Sequence, residues 1–217
     1  MPMTEAKRVT LSFDNGPDPR ITPLVLDVLA RRGVKTTFFV VGEQLARSRE
    51  PAVRAAAEGH WIGNHTWSHS QPFRAKGDID FVRDEIERTQ EQIGALAHPD
   101  KLFRPFGGGG RLDGALNTNA RQHLAAGGYT CILWSSVPGD FKDKDGWPAV
   151  AREQIAALQW PLVVLHDVHE QAMRHLDRFI GSLQDEGCTF EQQFPPDCVA
   201  MRRGESTPVM EQGVVAG

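Results

Sequence analysis

Cysteine is scarce in this chain of 217 residues, with only Cys131, Cys188 and Cys198, and no two of them stand in a CxxC spacing. That excludes a disulfide framework and a thiolate zinc site. Cys131, inside an apolar run, reads as packing. Long apolar runs are missing too. No stretch approaches the roughly 18 residues of a membrane span, and the first eight residues contain no apolar signal core. A soluble, cytoplasmic protein without a membrane partner is the expectation. Positive charge is in deficit, 24 Lys and Arg against 28 Asp and Glu, for a formal net charge of -4. With no basic run, a nucleic-acid partner has no electrostatic support. The glycine run at 107–110 lacks the Lys-Ser/Thr ending of a phosphate loop, which argues against nucleotide binding.

What is present has the balance of one soluble globular domain, 40% hydrophobic and 24% charged, without internal repeats. Residues 9–13, 36–41, 61–64, 102–106, 129–134, 162–165 and 189–194 read as strands, and 22–32, 53–57, 78–96, 115–126, 149–158 and 171–186 as helices. In 78–96, Phe81, Val82, Ile86, Ile93 and Leu96 make one apolar face opposite a charged one. The alternation predicts an α/β fold with a mostly parallel sheet covered by helices. One domain is expected over 1–217, with its core at about 8–194. The segment 195–217, rich in Pro, Gly, Glu and Arg, is expected to be loosely held. No feature specifies an oligomeric state.

Asp14-Asn15, His65, Arg104, Trp134 with Asp140, and His166 fall at or just past the C-terminal ends of different predicted strands. Those ends converge only if the sheet curls, and barrel enzymes place their chemistry at that rim. His65 and His69, four apart, would share a helix face and offer two nitrogens to one metal ion; a cap or a surface histidine is the alternative. Asp14, before a Gly-Pro turn, suits a general base, a metal ligand or a turn former. His166 ends a buried strand and is either a satisfied core residue or a catalytic acid. Asp140, ahead of Asp143 and Asp145 in the same acidic loop, is placed to orient that imidazole and raise its pKa. Arg104 can pair with Asp14 and hold it ionised, and the glycines after Phe106 permit close approach of a ligand.

In order along the chain, Ser12-Phe13-Asp14-Asn15-Gly16-Pro17, His65-Thr66-Trp67-Ser68-His69, Arg104-Pro105-Phe106-Gly107, Trp134 through Asp140-Phe141, and Leu162-Val163-Val164-Leu165-His166 resemble the five motifs of the polysaccharide deacetylase family, carbohydrate esterase family four. The likeness runs from about Val9 to His166. It implies a distorted (β/α)7 barrel and metal-assisted removal of N-acetyl groups from amino sugars or oligosaccharides. By the same resemblance Asp14 is the base that deprotonates water, and His65, His69 and Asn15 hold a divalent cation, zinc first. Arg104 tunes Asp14, while His166, steadied by Asp140, protonates the leaving amine. Phe106, Gly107, Trp134 and Leu165 line the substrate pocket, with a backbone amide near Phe106 assisting the oxyanion.

The chain departs from the family pattern at Asn15, where the family carries Asp. An amide oxygen brings no charge, so a weaker hold on zinc or cobalt is expected. Val137 replaces an acidic residue, and Phe106 replaces the usual Tyr. Two other outcomes fit the same barrel. An amide or cyclic-imide hydrolase of nitrogen catabolism suits the altered metal position, and a non-catalytic carbohydrate-binding relic suits a failed one. Retention of Asp14, Arg104 and His166 together weighs against the relic.

Overall fold

The computed structural model describes residues 6–107 and 115–212; of the glycine run, only Gly107 is among them. Strands β1 (Arg8–Asp14), β2 (Thr37–Val40), β3 (Trp61–Asn64), β4 (Leu102–Phe103), β5 (Thr130–Ile132), β6 (Leu162–His166) and β7 (Thr189–Glu191) alternate with helices. These are α1 (Ile21–Arg32), α2 (Gly42–Arg47), α3 (Glu50–Ala57), α4 (Ile79–Ile93), α5 (Thr118–Ala126), α6 (Trp147–Ala157), α7 (Glu170–Met173) and α8 (Leu176–Asp185). The sheet runs in the order β6-β1-β2-β3-β4-β5, all parallel, with β7 beside the start of β1. The curl is drawn together by a parallel bridge between Ser136 and Val163, where the Val164 N–H reaches the Ser136 carbonyl at 2.9 Å. The expected distorted barrel is the observed architecture.

Strand parity divides the labour. On β1, Val9, Leu11 and Phe13 point outward into a buried cluster with Val25, Leu26 and Leu29 of α1 and Phe179, Ile180 and Leu183 of α8. Successive side chains alternate faces, so Thr10, Ser12 and Asp14 point into the barrel. The helices end where their sequences say. Gly33, at φ 65°, closes α1, and the Val34 N–H returns to the Leu29 carbonyl at 3.0 Å. Asp78 caps α4 by accepting the Phe81 N–H at 2.9 Å, and Asn117 caps α5 through the Ala120 N–H at 2.8 Å.

Three expectations are corrected. The helix anticipated over 171–186 is broken into α7 and α8, because the Trp147 indole N–H donates to the Ala172 carbonyl at 3.0 Å and competes with the helical ladder. The strands anticipated over 102–106 and 129–134 are shorter. Pro105 has no N–H to donate, and the Leu133 carbonyl is turned to the Arg104 guanidinium. The described part of the tail, 195–212, is not loosely held, since β8 (Val199–Arg202) pairs antiparallel with β5 and then with β9 (Glu205–Ser206), and α9 (Pro208–Gln212) follows; 213–217 lie outside the described residues. Its polar composition hides the apolar run Cys198 to Met201, every residue of which is buried. Met201→Ala is expected to cost about 2–5 kcal/mol in a urea melt, as for a core residue. A loosely held segment would register within about 0.5 kcal/mol.

Candidate active site

Arg104, one residue past β4, is 0% exposed and organises the barrel mouth. Its Nη1 donates to Asp14 Oδ1 and to Ser12 Oγ, both at 2.7 Å, and Nη2 donates to the Leu133 carbonyl at 3.2 Å. One face of the guanidinium lies 4.0 Å from the centre of the Phe39 ring. Burial by itself would favour the neutral acid at Asp14. The charge and hydrogen bond of Arg104, helped by His65 and His166, outweigh it and hold the carboxyl below its ordinary 3.8. Asp14 is therefore a carboxylate with Oδ1 spoken for and Oδ2 turned towards the imidazole of His65, 3.5 Å away.

His65 and His69 are brought together by a loop rather than by the helix the spacing suggested. Thr66 at φ 68° and His69 at φ 50° turn the chain, and the two rings end 4.7 Å apart between centroids. The His65 Nδ1 lies 2.9 Å from the Arg104 carbonyl, which can only accept, so Nδ1 carries the proton and Nε2 keeps its lone pair. Burial pushes both histidines down, His69 to about 3, so both are neutral, as metal ligands must be. Asn15 occupies the left-handed region at φ 75°, which Asn tolerates better than most residues. Its Oδ1 is buried without a hydrogen-bond partner among the described residues, a costly state that a ligand would relieve. Gly16 beside it has to be glycine, since a Cβ there would run into the Asp167 carboxylate.

Beside Asp14, on the adjacent strand, β6 ends at its register partner His166. Both oxygens of buried Asp140 are committed to this residue, Oδ1 to the imidazole Nδ1 and Oδ2 to the backbone N–H, each at 2.8 Å. Burial alone would lower the His166 pKa, yet the Asp140 hydrogen bond and charge, with the charge of Asp14, raise it above the ordinary 6.5. A carboxylate and an imidazole biased towards its protonated form thus line one cavity of about 610 Å³.

Pro105, Phe106 and Gly107 form one wall of that cavity, and Trp134, Ser135, Val137, Gln154 and Val164 another. Of the residues expected at the site, Asp14, Asn15, His65, His69, Phe106, Gly107, Trp134 and His166 line it, with Arg104 and Asp140 directly behind. Leu165 does not. It points outward into the helical cluster, and Val164 takes the wall position. Parity could have found this, because a residue sharing the face of His166 must lie two positions before it. Val137 and Phe141, whose ring meets His166 edge-on at 5.2 Å, fall inside the fourth motif but have no site role in the sequence reading, and Gln154 carried no sequence signal. Asp143 caps the turn at Asp145 and Gly146, while Asp145 accepts from Gln171 and pairs with His175, so neither orients His166.

A divalent cation fits this donor set: the two neutral imidazoles and the partnerless amide oxygen of Asn15 converge on one cavity. No group of three or more His, Cys, Asp or Glu among the described residues could hold a metal. The third donor would be the amide.

Residues 2–132 match the family model described as polysaccharide deacetylase. The chitooligosaccharide deacetylase of Bradyrhizobium sp. is 32% identical over 199 residues, covering 83% of this chain and 86% of that protein. The peptidoglycan-N-acetylglucosamine deacetylase PgdA of Listeria monocytogenes is 31% identical over 188 residues, covering 85% of this chain, although the chain spans only 37% of that protein. Among solved structures, the Bc1960 peptidoglycan N-acetylglucosamine deacetylase superposes with a TM-score of 0.73 at 30% identity, covering 87% of this chain and 86% of the other. The T48 deacetylase with substrate gives 0.72 at 28%, covering 86% and 88%. By family model and by sequence identity, the chain belongs to the polysaccharide deacetylase family.

Proposed function

We propose that this protein is a metal-dependent hydrolase that removes the N-acetyl group from amino-sugar oligosaccharides. The observation that carries the reading is that one cavity is lined together by Asp14, held as a carboxylate, by His166, biased towards its protonated form, and by the histidine pair. Names of relatives point to the same substrates, chitooligosaccharide for one and peptidoglycan for another.

The chemistry follows from the side chains. Asp14 Oδ2, left free by Arg104, takes the proton from the attacking water. His166 holds its proton on the ring nitrogen not bound to Asp140 and delivers it to the departing amine. Asp140 fixes the ring orientation by gripping both the imidazole and the backbone of the same residue. Trp134 and Val164 offer an apolar wall to the acetyl methyl, and Phe141, 41% exposed at the rim, offers a ring face to a sugar. His65, His69 and Asn15 hold the cation, zinc by preference for two imidazoles and one oxygen. When bound, it supplies Lewis-acid polarisation of the acetyl carbonyl.

Acetate release from chito-oligosaccharides by the zinc- or cobalt-loaded protein tests the reading. Asp14→Asn and His166→Ala are each expected to lower kcat by about 10²–10⁴, and Asn15→Asp to tighten the cation by adding a charged ligand. No turnover by either the wild type or Asn15→Asp would sink the proposal. Turnover of cyclic imides instead would move the protein to the nitrogen-catabolic branch.

The pH profile is a separate test. His166 works protonated and its pKa is raised, so activity is lost as pH climbs through that raised value; the basic limb of kcat/KM should lie above 6.5. Asp140→Asn removes the hydrogen bond and charge that do most to raise it and leaves only the charges of Asp14 and Asp167 against burial. The basic limb should then move to lower pH, and a limb that stays in place would remove His166 from the acid role.

A further inference from the structure

We propose that Glu85 is a positioning residue of the metal site: through Ser68 it holds the loop that presents His65 and His69, and so sets the affinity for the divalent cation. The inference rests on the reading of His65, His69 and Asn15 as that cation's ligands.

Glu85 lies on α4, whose outer face is charged, yet it is only 6% exposed. Both carboxylate oxygens are spent on one residue of the histidine loop. Oε2 accepts the Ser68 N–H at 3.0 Å and Oε1 accepts the Ser68 hydroxyl at 2.7 Å. Charge-assisted bonds of this kind are among the stronger ones a carboxylate can make.

The loop needs such a hold. Thr66 and His69 both sit in the left-handed region, which β-branched threonine rarely enters and which persists only where the surroundings impose it. The first half is imposed by the Asn64 side chain and the backbone of α2: Thr66 donates its N–H to Asn64 Oδ1 at 3.0 Å, and its carbonyl accepts the Gly42 N–H at 2.9 Å. Trp67 follows, its carbonyl accepting the Glu43 N–H at 3.0 Å and its ring lying under the Arg88 guanidinium at 4.0 Å. Ser68 comes last before the ligand His69, and its anchor is Glu85. Without the carboxylate, the Ser68 N–H loses its partner and the turn at His69 loses the restraint that holds its ring 4.7 Å from that of His65. Outer partners of metal ligands act in this way on affinity.

Zinc affinity of the metal-free protein, read by competition with a chromophoric chelator, tests the proposal. Glu85→Ala should weaken zinc about 10–100-fold. Glu85→Gln should restore it, because its amide oxygen still accepts the Ser68 N–H while its NH₂ donates to the hydroxyl. Ser68→Ala, which keeps the N–H bond and loses the other, should fall between them, and it carries the test if Glu85→Ala does not fold. The cobalt-loaded proteins add a spectroscopic check: the visible band should change in Glu85→Ala and recover in Glu85→Gln. Zinc bound equally by Glu85→Ala and wild type, with binding lost in His69→Ala, overturns this inference alone. Failure of the wild type to bind zinc overturns the parent reading and this one with it. A Glu85→Gln protein as weak as Glu85→Ala also overturns it, since the role would then be charge and not position.

Discussion

A guanidinium with no access to water is tolerable only if its donors and its charge are both answered, and Arg104 is placed so that they are. Asp14 answers the charge and one N–H, Ser12 Oγ and the carbonyls of Ile132 and Leu133 answer three more so that every nitrogen has a partner, and Phe39 covers one face. Because four elements contribute, the ion pair fixes the relative positions of β1, β2, β4 and β5 at the rim. The Arg104 backbone carbonyl also selects the tautomer of His65. One residue thus sets the ionisation of Asp14, the proposed base, and the lone pair of His65, a proposed metal ligand.

This dependence reaches the end of the chain. The carbonyls that hold Arg104 belong to the end of β5, and β5 is backed by β8, with the Leu133 N–H donating to the Cys198 carbonyl at 2.7 Å. A C-terminal strand on the far edge of the sheet therefore supports the geometry of the site from behind. On the neighbouring strand, Asp140 does for His166 what Arg104 does for Asp14, spending both carboxylate oxygens on one residue. Two buried partners of opposite sign hold their facing groups in opposite protonation states, which is the condition for a base and an acid to act in one cavity.

Legibility in the sequence tracked how local the controlling physics was. The alternation of apolar runs with amphipathic ones located β1, β3, β6 and α1 to within a residue, and α4 except for its last three expected residues, Gly94–Leu96, which form a 3-10 turn, since periodicity and caps are local. Motif order placed Asp14, His65, His69, Arg104 and His166 around one site. Leu165 was assigned inward because the motif was read as a string, whereas the pleat sends Val164 to the cavity and Leu165 to the helices. The histidine pair was read as helical from its spacing, but Thr66 and His69 adopt a left-handed turn that their neighbours impose. The C-terminal strand was hidden by polar flanks, because antiparallel pairing to β5 is a long-range contact with no local signature.

The sequence by itself determined the class of fold and the cast of chemical groups: an α/β barrel, a carboxylate before a Gly-Pro turn, two histidines, a strand-end arginine and a strand-end histidine. It also determined that the residue after that carboxylate is a neutral amide, Asn15. The tertiary structure alone decided which groups carry charge and which face the cavity. Ionisation depends on burial and on partners a few ångströms away, and those partners are distant in sequence: Arg104 for Asp14, Asp140 for His166, and Glu85, through Ser68, for the loop that carries the histidine pair.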